Sequence, residues 1–318
     1  MAEPFIEAVT TRRWQHDVEA WIGDRVADLG RRQTAPIDRH RLRPWSIQLI
    51  VPTDRGRMWF KSNCAAMSFE AGLHQRLAEL VPDAVHAPAA VDVTRGWMLT
   101  DDHGPTVADG DPAADVWTDL LVSTAHMQRE LASHADTIVA TGLPDCRPET
   151  VVDRFDSLVD RLAVLPTAHR SHLDNATRSA LLASRSRVLE AADLLADSPV
   201  PPSLQHGDLH PGNVFADKTI FDFGDAQWAA AFEVLQVPRR MIAIRDDAPW
   251  DRLRDAYLDV WSDLIDRRDA RSLAAATAVT QVVNRAATWA DALDGGSRSD
   301  LEQWGNAPLE TLTGLLRN

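Results

Sequence analysis

Between Gln205 and Asp225 the chain reads Q-H-G-D-L-H-P-G-N-V-F, then A-D-K-T, then I-F-D-F-G-D. No other stretch restricts it so tightly, because Asp208, Asn213 and Asp222 carry three oxygen-bearing side chains at fixed intervals. Val214-Phe215 and Thr219-Ile220-Phe221 are short apolar runs on either side of Ala216-Asp217-Lys218, the pattern of a small hairpin. Such a hairpin brings Asn213 and Asp222 side by side. An amide oxygen and a carboxylate are hard donors of the kind magnesium takes. Asp208 can accept a hydrogen bond from a hydroxyl and take its proton late in a reaction. Phosphoryl transfer asks for little more than this positioning and charge neutralisation.

A rival reading starts from His206, Asp208 and His210, which alternate along one extended segment and could point to one side to bind zinc or iron. It leaves Asn213 and Asp222 without a role.

The wording H-G-D-L-H-P-G-N-V, a hairpin and then D-F-G-D resembles the aminoglycoside phosphotransferase family, small-molecule kinases that share the protein-kinase fold. The resemblance is tight over the catalytic segment and looser from about Arg43 to Asp225; the C-terminal third carries no matching motif. It implies Asp208 as catalytic aspartate, Asn213 and Asp222 as magnesium ligands and His206 as a prop of the catalytic loop. The implied fold is α+β and bilobal: an N-terminal antiparallel sheet with a helix, then a larger, mainly helical lobe. The expected domains are residues 1–102 for nucleotide and 103–318 for catalysis and substrate.

A fold of that kind needs a strand lysine and a helix glutamate upstream. Ser46 to Val51 is strand-like, Pro52 to Gly56 a turn, and Arg57 to Lys61 a second strand. Phe69, Leu73, Leu77 and Leu80 then recur at helical spacing until Pro82, with Glu70 near the start as the partner of Lys61. Composition singles out Lys61: of 33 Lys plus Arg only Lys61 and Lys218 are lysines. A compact ammonium and a planar guanidinium are not interchangeable beside a triphosphate. Lys218, in the hairpin turn, reads as solvated.

No G-x-G-x-x-G precedes the hairpin. In its place stands Leu42-Arg43-Pro44-Trp45-Ser46, after a candidate strand from Ile37 to Arg41. Backbone N–H groups, the Ser46 hydroxyl and the Arg43 charge are the candidate phosphate contacts, although Pro44 removes one donor. Trp45 reads as packing. Ala90 to Val93 and Trp97 to Thr100 read as two strands about an Arg95-Gly96 turn, broken by Asp101-Asp102-His103-Gly104-Pro105. The resemblance places the adenine edge against backbone near Leu99, Thr100, Asp101 and Asp102. The cofactors it implies are ATP, with GTP as the alternative, and Mg2+.

The rest is mostly helical. Trp14, Val18, Trp21, Ile22, Val26 and Leu29 mark one helical face near the start. Asp111-Pro112 opens a segment with Val116, Leu120, Met127 and Leu131 on one side. Further amphipathic stretches run over about 149–165, 175–197, 229–244, 250–266, 270–293 and 299–316. The run Pro199-Val200-Pro201-Pro202 separates the helices from the catalytic loop.

A length of 318 residues with 45% hydrophobic content suits two lobes. Two cysteines, Cys64 and Cys146, provide no disulfide framework and point to a reducing compartment; with neither a leader-like start nor an apolar span in this sequence, a cytoplasmic enzyme is expected. The net charge of −14 argues against nucleic acid or anionic membrane as partners. It suits a cationic acceptor, with Asp225, Glu233, Asp246, Asp247 and Asp251 as candidate acidic contacts. The expected reaction is transfer of the γ-phosphate of ATP to a hydroxyl of an aminoglycoside or related antibiotic. The alternatives are a metabolite kinase for a sugar, amino sugar or amino alcohol, and a kinase-fold protein that binds ligand without turnover.

Overall fold

Alternation builds the N-terminal sheet. In a computed structural model that describes residues 4–109, 114–245 and 249–317, β1 (Asp38–Arg43), β2 (Ser46–Thr53) and β3 (Gly56–Asn63) follow in sequence, and Leu49, Val51, Met58 and Phe60 are buried on one face. The helices α1 (Phe5–Thr10) and α2 (Arg12–Asp28) cover that face. The Thr11 side chain accepts from Trp14 N and so caps α2, which buries Val18, Ile22 and Val26 at helical spacing. Trp14 and Trp21 meet Phe60 and Trp97 edge to face, at centroid distances of 5.8 to 6.3 Å.

Next come α3 (Glu70–Leu80), β4 (Ala90–Asp92) and β5 (Trp97–Asp101), giving an all-antiparallel sheet of order β1-β2-β3-β5-β4. Register decides which residues meet. Gln48 pairs with Lys61 and Lys61 with Met98, so these share the face opposite Phe60 and Leu99.

The larger part contains α4 (Ala114–Leu131), α5 (Ala135–Val139), β6 (Asp145–Cys146), α6 (Val151–Ala163), α7 (Asn175–Ala183) and α8 (Arg185–Ala196). Then follow β7 (Pro202–Gln205), β8 (Gln227–Ala230), α9 (Gln236–Arg245), α10 (Trp250–Asp259), α11 (Arg267–Ala292), α12 (Arg298–Trp304) and α13 (Ala307–Leu312). A small sheet of order β6-β8-β7 lies at its centre, and β7 leads straight into the 206–213 loop. Buried Gln128 on α4 locks it in place. Its amide Nε2 donates to the carbonyls of Leu204 (2.8 Å) and Ala231 (2.9 Å), and its Oε1 accepts from the Tyr257 hydroxyl (2.6 Å). A buried network satisfied in this way fixes the backbone it touches.

Several expectations shift. The first strand runs Asp38–Arg43 rather than Ile37 to Arg41, so the loop before Ser46 shrinks to the turn Pro44-Trp45. The stretch 175–197 breaks at Ser184 into two helices, and 299–316 breaks into α12 and α13. Residues 229–235 are strand and 3-10 turn, because β8 completes the small sheet before a helix can begin. The 213–222 hairpin forms no full strands: the Val214–Ile220 bridge and the bonds from Phe215 N to the Thr219 carbonyl and Phe221 N to the Asn213 carbonyl hold it, with Lys218 at a left-handed φ of 76°. The helix opening read at Asp111-Pro112 lies outside the described residues. No described helix is long and apolar enough to cross a membrane.

Candidate active site

The 206–213 loop is built around a buried imidazole. His206 Nδ1 accepts from Asp208 N (3.3 Å), so its proton sits on Nε2, which donates to the Phe221 carbonyl (3.0 Å). Burial lowers its pKa and keeps it neutral. The ring thus ties the 206–213 loop to the segment just before Asp222. Gly207 makes the turn possible: its φ is +82°, and a Cβ there would lie 2.0 Å from the Asp225 carbonyl oxygen. Both His206 nitrogens serve backbone and His210 Nδ1 accepts from Gly212 N (3.0 Å), so these rings do not converge as metal ligands. No described group of three or more His, Cys, Asp or Glu is placed to hold a metal ion.

With Nδ1 so used, His210 directs Nε2–H towards Asp208, 3.5 Å from Oδ2. Burial works to raise the Asp208 pKa, but the His210 hydrogen bond and the Arg285 charge outweigh it, and the carboxyl lies below its usual range. Asp208 is therefore ionised, as a proton acceptor must be.

The hairpin faces Asn213 towards Asp222. Phe221 N donates to the Asn213 carbonyl (3.0 Å), and Asn213 Nδ2 donates to the Asp208 carbonyl (2.9 Å), so the amide presents Oδ1 as its free end. Asp222 sits in the left-handed region, φ 64° and ψ 63°, a conformation that a non-glycine residue holds only under constraint. Lys61 supplies that constraint. Its Nζ lies 2.6 Å from Asp222 Oδ1, and 2.8 and 2.7 Å from the two Glu70 oxygens. Burial opposes charge on all three groups. Mutual attraction nevertheless raises Lys61 and pulls Asp222 down to about 2, while burial and Asp222 raise Glu70. Asn63 Nδ2 also donates to Glu70, and Gly224 lets Glu70 approach, since a Cβ there would stand 3.2 Å from Oε2. An amide oxygen and a carboxylate on facing ends of one hairpin fit a hard divalent cation such as Mg2+.

A cleft of about 650 Å³ opens beside this cluster. Lys61, Glu70, Asp222, Thr100 and Asp101 line it, together with Gln48, Trp59, Met98, His103 and Phe221. Among the nucleotide contacts read from sequence, Thr100 and Asp101 reach it, although Asp101 is paired with Arg31. The Leu99 side chain does not: it is fully buried on the far face among Phe60 and Trp97, and its carbonyl accepts from Ala89 N. Arg43 and Ser46 are also absent from the lining. Arg43 pairs across the turn with Ser46, is exposed, and has its only described hydrogen bond to the Leu42 carbonyl (3.4 Å). Ser46 is buried with an unpartnered hydroxyl. Trp45 packs edge-on against Trp289 (5.3 Å) and Trp304 (5.1 Å), a packing role as expected.

The acidic acceptor contacts fare unevenly. Asp225 is beside the catalytic loop but is paired with Arg285 Nη1 (2.5 Å). Glu233 is a correction: it is 1% exposed, and its carboxylate accepts from Thr280 Oγ1 (2.6 Å) and Asn284 Nδ2 on α11, inside the helical core. Asp251 pairs with Arg254 (2.9 Å) on α10. Asp246 and Asp247 lie outside the described residues. What spacing could not reveal is the positive charge here: Arg285 acts on Asp208, as does Arg240, and Arg41 Nη2 stands 3.8 Å from Asp222 Oδ2. The only sequence signal for these was the preference for arginine over lysine, which marks no position.

The sequence model of the phosphotransferase enzyme family matches residues 61–275. No curated protein sequence matches. Among solved structures, the chain resembles a macrolide 2'-phosphotransferase, MphH, from Brachybacterium faecium, at 16% identity and TM-score 0.55, covering 93% of this chain and 98% of that one. It resembles a GDP complex of an aminoglycoside 2'-phosphotransferase-IIIa mutant at 14% identity and TM-score 0.58, covering 95% and 97%. It also resembles the choline kinase LicA from Streptococcus pneumoniae at 13% identity and TM-score 0.56, covering 95% and 100%. At these identities the likeness is one of fold, a protein-kinase-like sheet joined to a larger helical part. With the family match extending from the cleft lysine through the catalytic loop into α11, the chain belongs to the phosphotransferase enzyme family.

Proposed function

We propose that this protein transfers the γ-phosphate of ATP or GTP to a hydroxyl of a small molecule. One observation carries the reading: Lys61 Nζ bridges Glu70 and Asp222, while Asp222 faces Asn213 across the hairpin and Asp208 precedes Asn213 on the same loop. In this reading residues 1–102 bind nucleotide and residues 103–318 present catalyst and acceptor. Lys61, held by Glu70, neutralises the α- and β-phosphates. Asn213 Oδ1 and Asp222 hold Mg2+, which supplies charge neutralisation on the phosphate oxygens when bound. Asp208 orients the acceptor hydroxyl and takes its proton. ATP supply and two free, buried cysteines suit the cytoplasm.

For the acceptor, an antibiotic or metabolite with a sugar-type hydroxyl is preferred. Arg240 and Arg285 act on Asp208, and Asp225 is already paired with Arg285. A strongly polycationic aminoglycoside would meet like charge there, so macrolide-type antibiotics and neutral or singly charged metabolites rank ahead of it.

The test is to follow nucleotide consumption with Mg2+ and ATP or GTP over a panel of macrolides, aminoglycosides, sugars and amino alcohols, beside Asp208→Asn. An acceptor-dependent rate lost in the variant supports the proposal. Equal turnover in both proteins refutes the assigned base. Nucleotide binding without turnover on any acceptor favours the binding-protein reading.

A further inference from the structure

The turn that precedes Ser46 is poorly equipped to wrap a triphosphate. Pro44 has no N–H, the Trp45 carbonyl accepts from Cys64 N (2.9 Å), and the Trp45 ring is docked on Trp289 and Trp304. A tip anchored on α11 and α12 is not a free loop whose amides can fold over phosphate. Some other group must supply the missing contacts.

Strand register supplies it. Arg39 pairs with Leu49 but Arg41 pairs with Gln48, so β1 takes two steps where β2 takes one, and His40 is the extra residue of a β-bulge. Without the bulge His40 would oppose Gln48, and Arg41 would oppose Ile47 and face α2. With it, Arg41, Gln48 and Lys61 form one cross-strand row on the sheet face that carries the cleft; His40, Gln48 and Lys61 line the cavity itself, and Arg41 stands at its margin. Arg41 Nη2 reaches to 3.8 Å from Asp222 Oδ2, on the other side of that carboxylate from Lys61, which is 2.6 Å from Oδ1. The distance exceeds a hydrogen bond, and Arg41 Nε is out of solvent contact with no acceptor among the described residues. The guanidinium thus meets Asp222 as a long ion pair with no hydrogen bond.

We propose that Arg41, turned into the cleft by the bulge at His40, is a phosphate-binding residue that takes the place of glycine-loop amides and grips the terminal phosphates opposite Lys61. The inference rests on the nucleotide-dependent reading of this site. A guanidinium offers paired N–H donors that match phosphate oxygens, and it does so from a rigid strand rather than a mobile loop.

Calorimetric titration of the full chain with adenosine, AMP, ADP and ATP in Mg2+ tests it without relying on turnover. Wild type is expected to bind ATP more tightly than adenosine. Arg41→Ala should lose at least tenfold in ATP affinity and leave adenosine affinity within twofold, with Arg41→Lys between the two and Arg43→Ala unchanged. ATP affinity within twofold of wild type in Arg41→Ala overturns the proposal, as does an equal loss for adenosine, which would mark a structural role. Should Arg41→Ala lose its fold by circular dichroism, Arg41→Gln is read by the same criteria. A wild type that binds ATP no better than adenosine sinks the nucleotide reading itself, and this inference with it.

Discussion

Glu233 offers a decisive measurement because its burial has a pH-dependent consequence. Its carboxyl is 1% exposed, and removal from water raises its pKa from 4.5 to about 7, the hydrogen bonds from Thr280 and Asn284 only partly offsetting this. In the folded protein it keeps a proton up to about pH 7; in the unfolded chain it releases that proton near pH 4.5. Between those values the native state binds the extra proton, so stability falls as pH rises, and the loss is complete above the folded pKa. At about 1.4 kcal/mol per tenfold, the full loss is about 3 kcal/mol. Glu233→Gln removes it. Its amide oxygen can still accept from Thr280, and with the Asn284 amide turned over its NH2 can donate to Asn284 Oδ1, which has no partner among the described residues of the wild type. Thermal unfolding of both proteins from pH 5 to 8 should therefore give melting curves that nearly coincide at pH 5. They should separate by about 5 °C in favour of the variant at pH 8. Other titrating groups cancel in the difference. A separation that stays constant from pH 5 to 8 would refute the reasoning, and a collapse of acceptor affinity in the variant would return Glu233 to the substrate site.

Asp208→Asn should reduce kcat by about 10² to 10⁴ while leaving ATP affinity unchanged, as measured by steady-state kinetics and calorimetry. Lys61→Met leaves Glu70 buried without its cation and should destabilise by about 3 to 5 kcal/mol, read by denaturant unfolding, with the ATP affinity also reduced. Gly207→Ala must displace the Asp225 carbonyl, 2.0 Å from the new Cβ, so both turnover and melting temperature should fall. Gln128→Leu leaves the Leu204 and Ala231 carbonyls without its donor and should destabilise by about 1 to 3 kcal/mol, seen as a lower denaturant midpoint.

How far the chain could be read depended on distance along it. Asp208, Asn213 and Asp222 lie within one loop and one hairpin, and a short segment has few ways to arrange them. The sheet and α3 were legible from alternation and helical periodicity, and with them the pairing of Lys61 with Glu70. Arg43 was the natural phosphate cation on proximity alone, yet it sits at the turn beside Ser46, while Arg41, two residues back on the same strand face, comes within 3.8 Å of Asp222. One extra residue in β1 sets the face on which both arginines emerge, and a bulge leaves no mark in the pattern of apolar positions. Leu99 was read for its backbone, which in the fold is taken up between β3 and β4, its carbonyl accepting from Ala89 N.

The acidic contacts show the other boundary. Asp225 and Glu233 look equivalent along the chain, both shortly after Asp222. Packing makes one the partner of Arg285 from α11 and buries the other against Thr280 and Asn284 on the same helix. The order of the residues was enough to bring together the groups on which the proposed chemistry rests, because donor type and local spacing are properties of a short segment. Folding assigned the charge around Asp208, the face on which Arg41 emerges and the raised pKa of a buried glutamate. Each of those follows from register and desolvation, set by residues tens to hundreds of positions away.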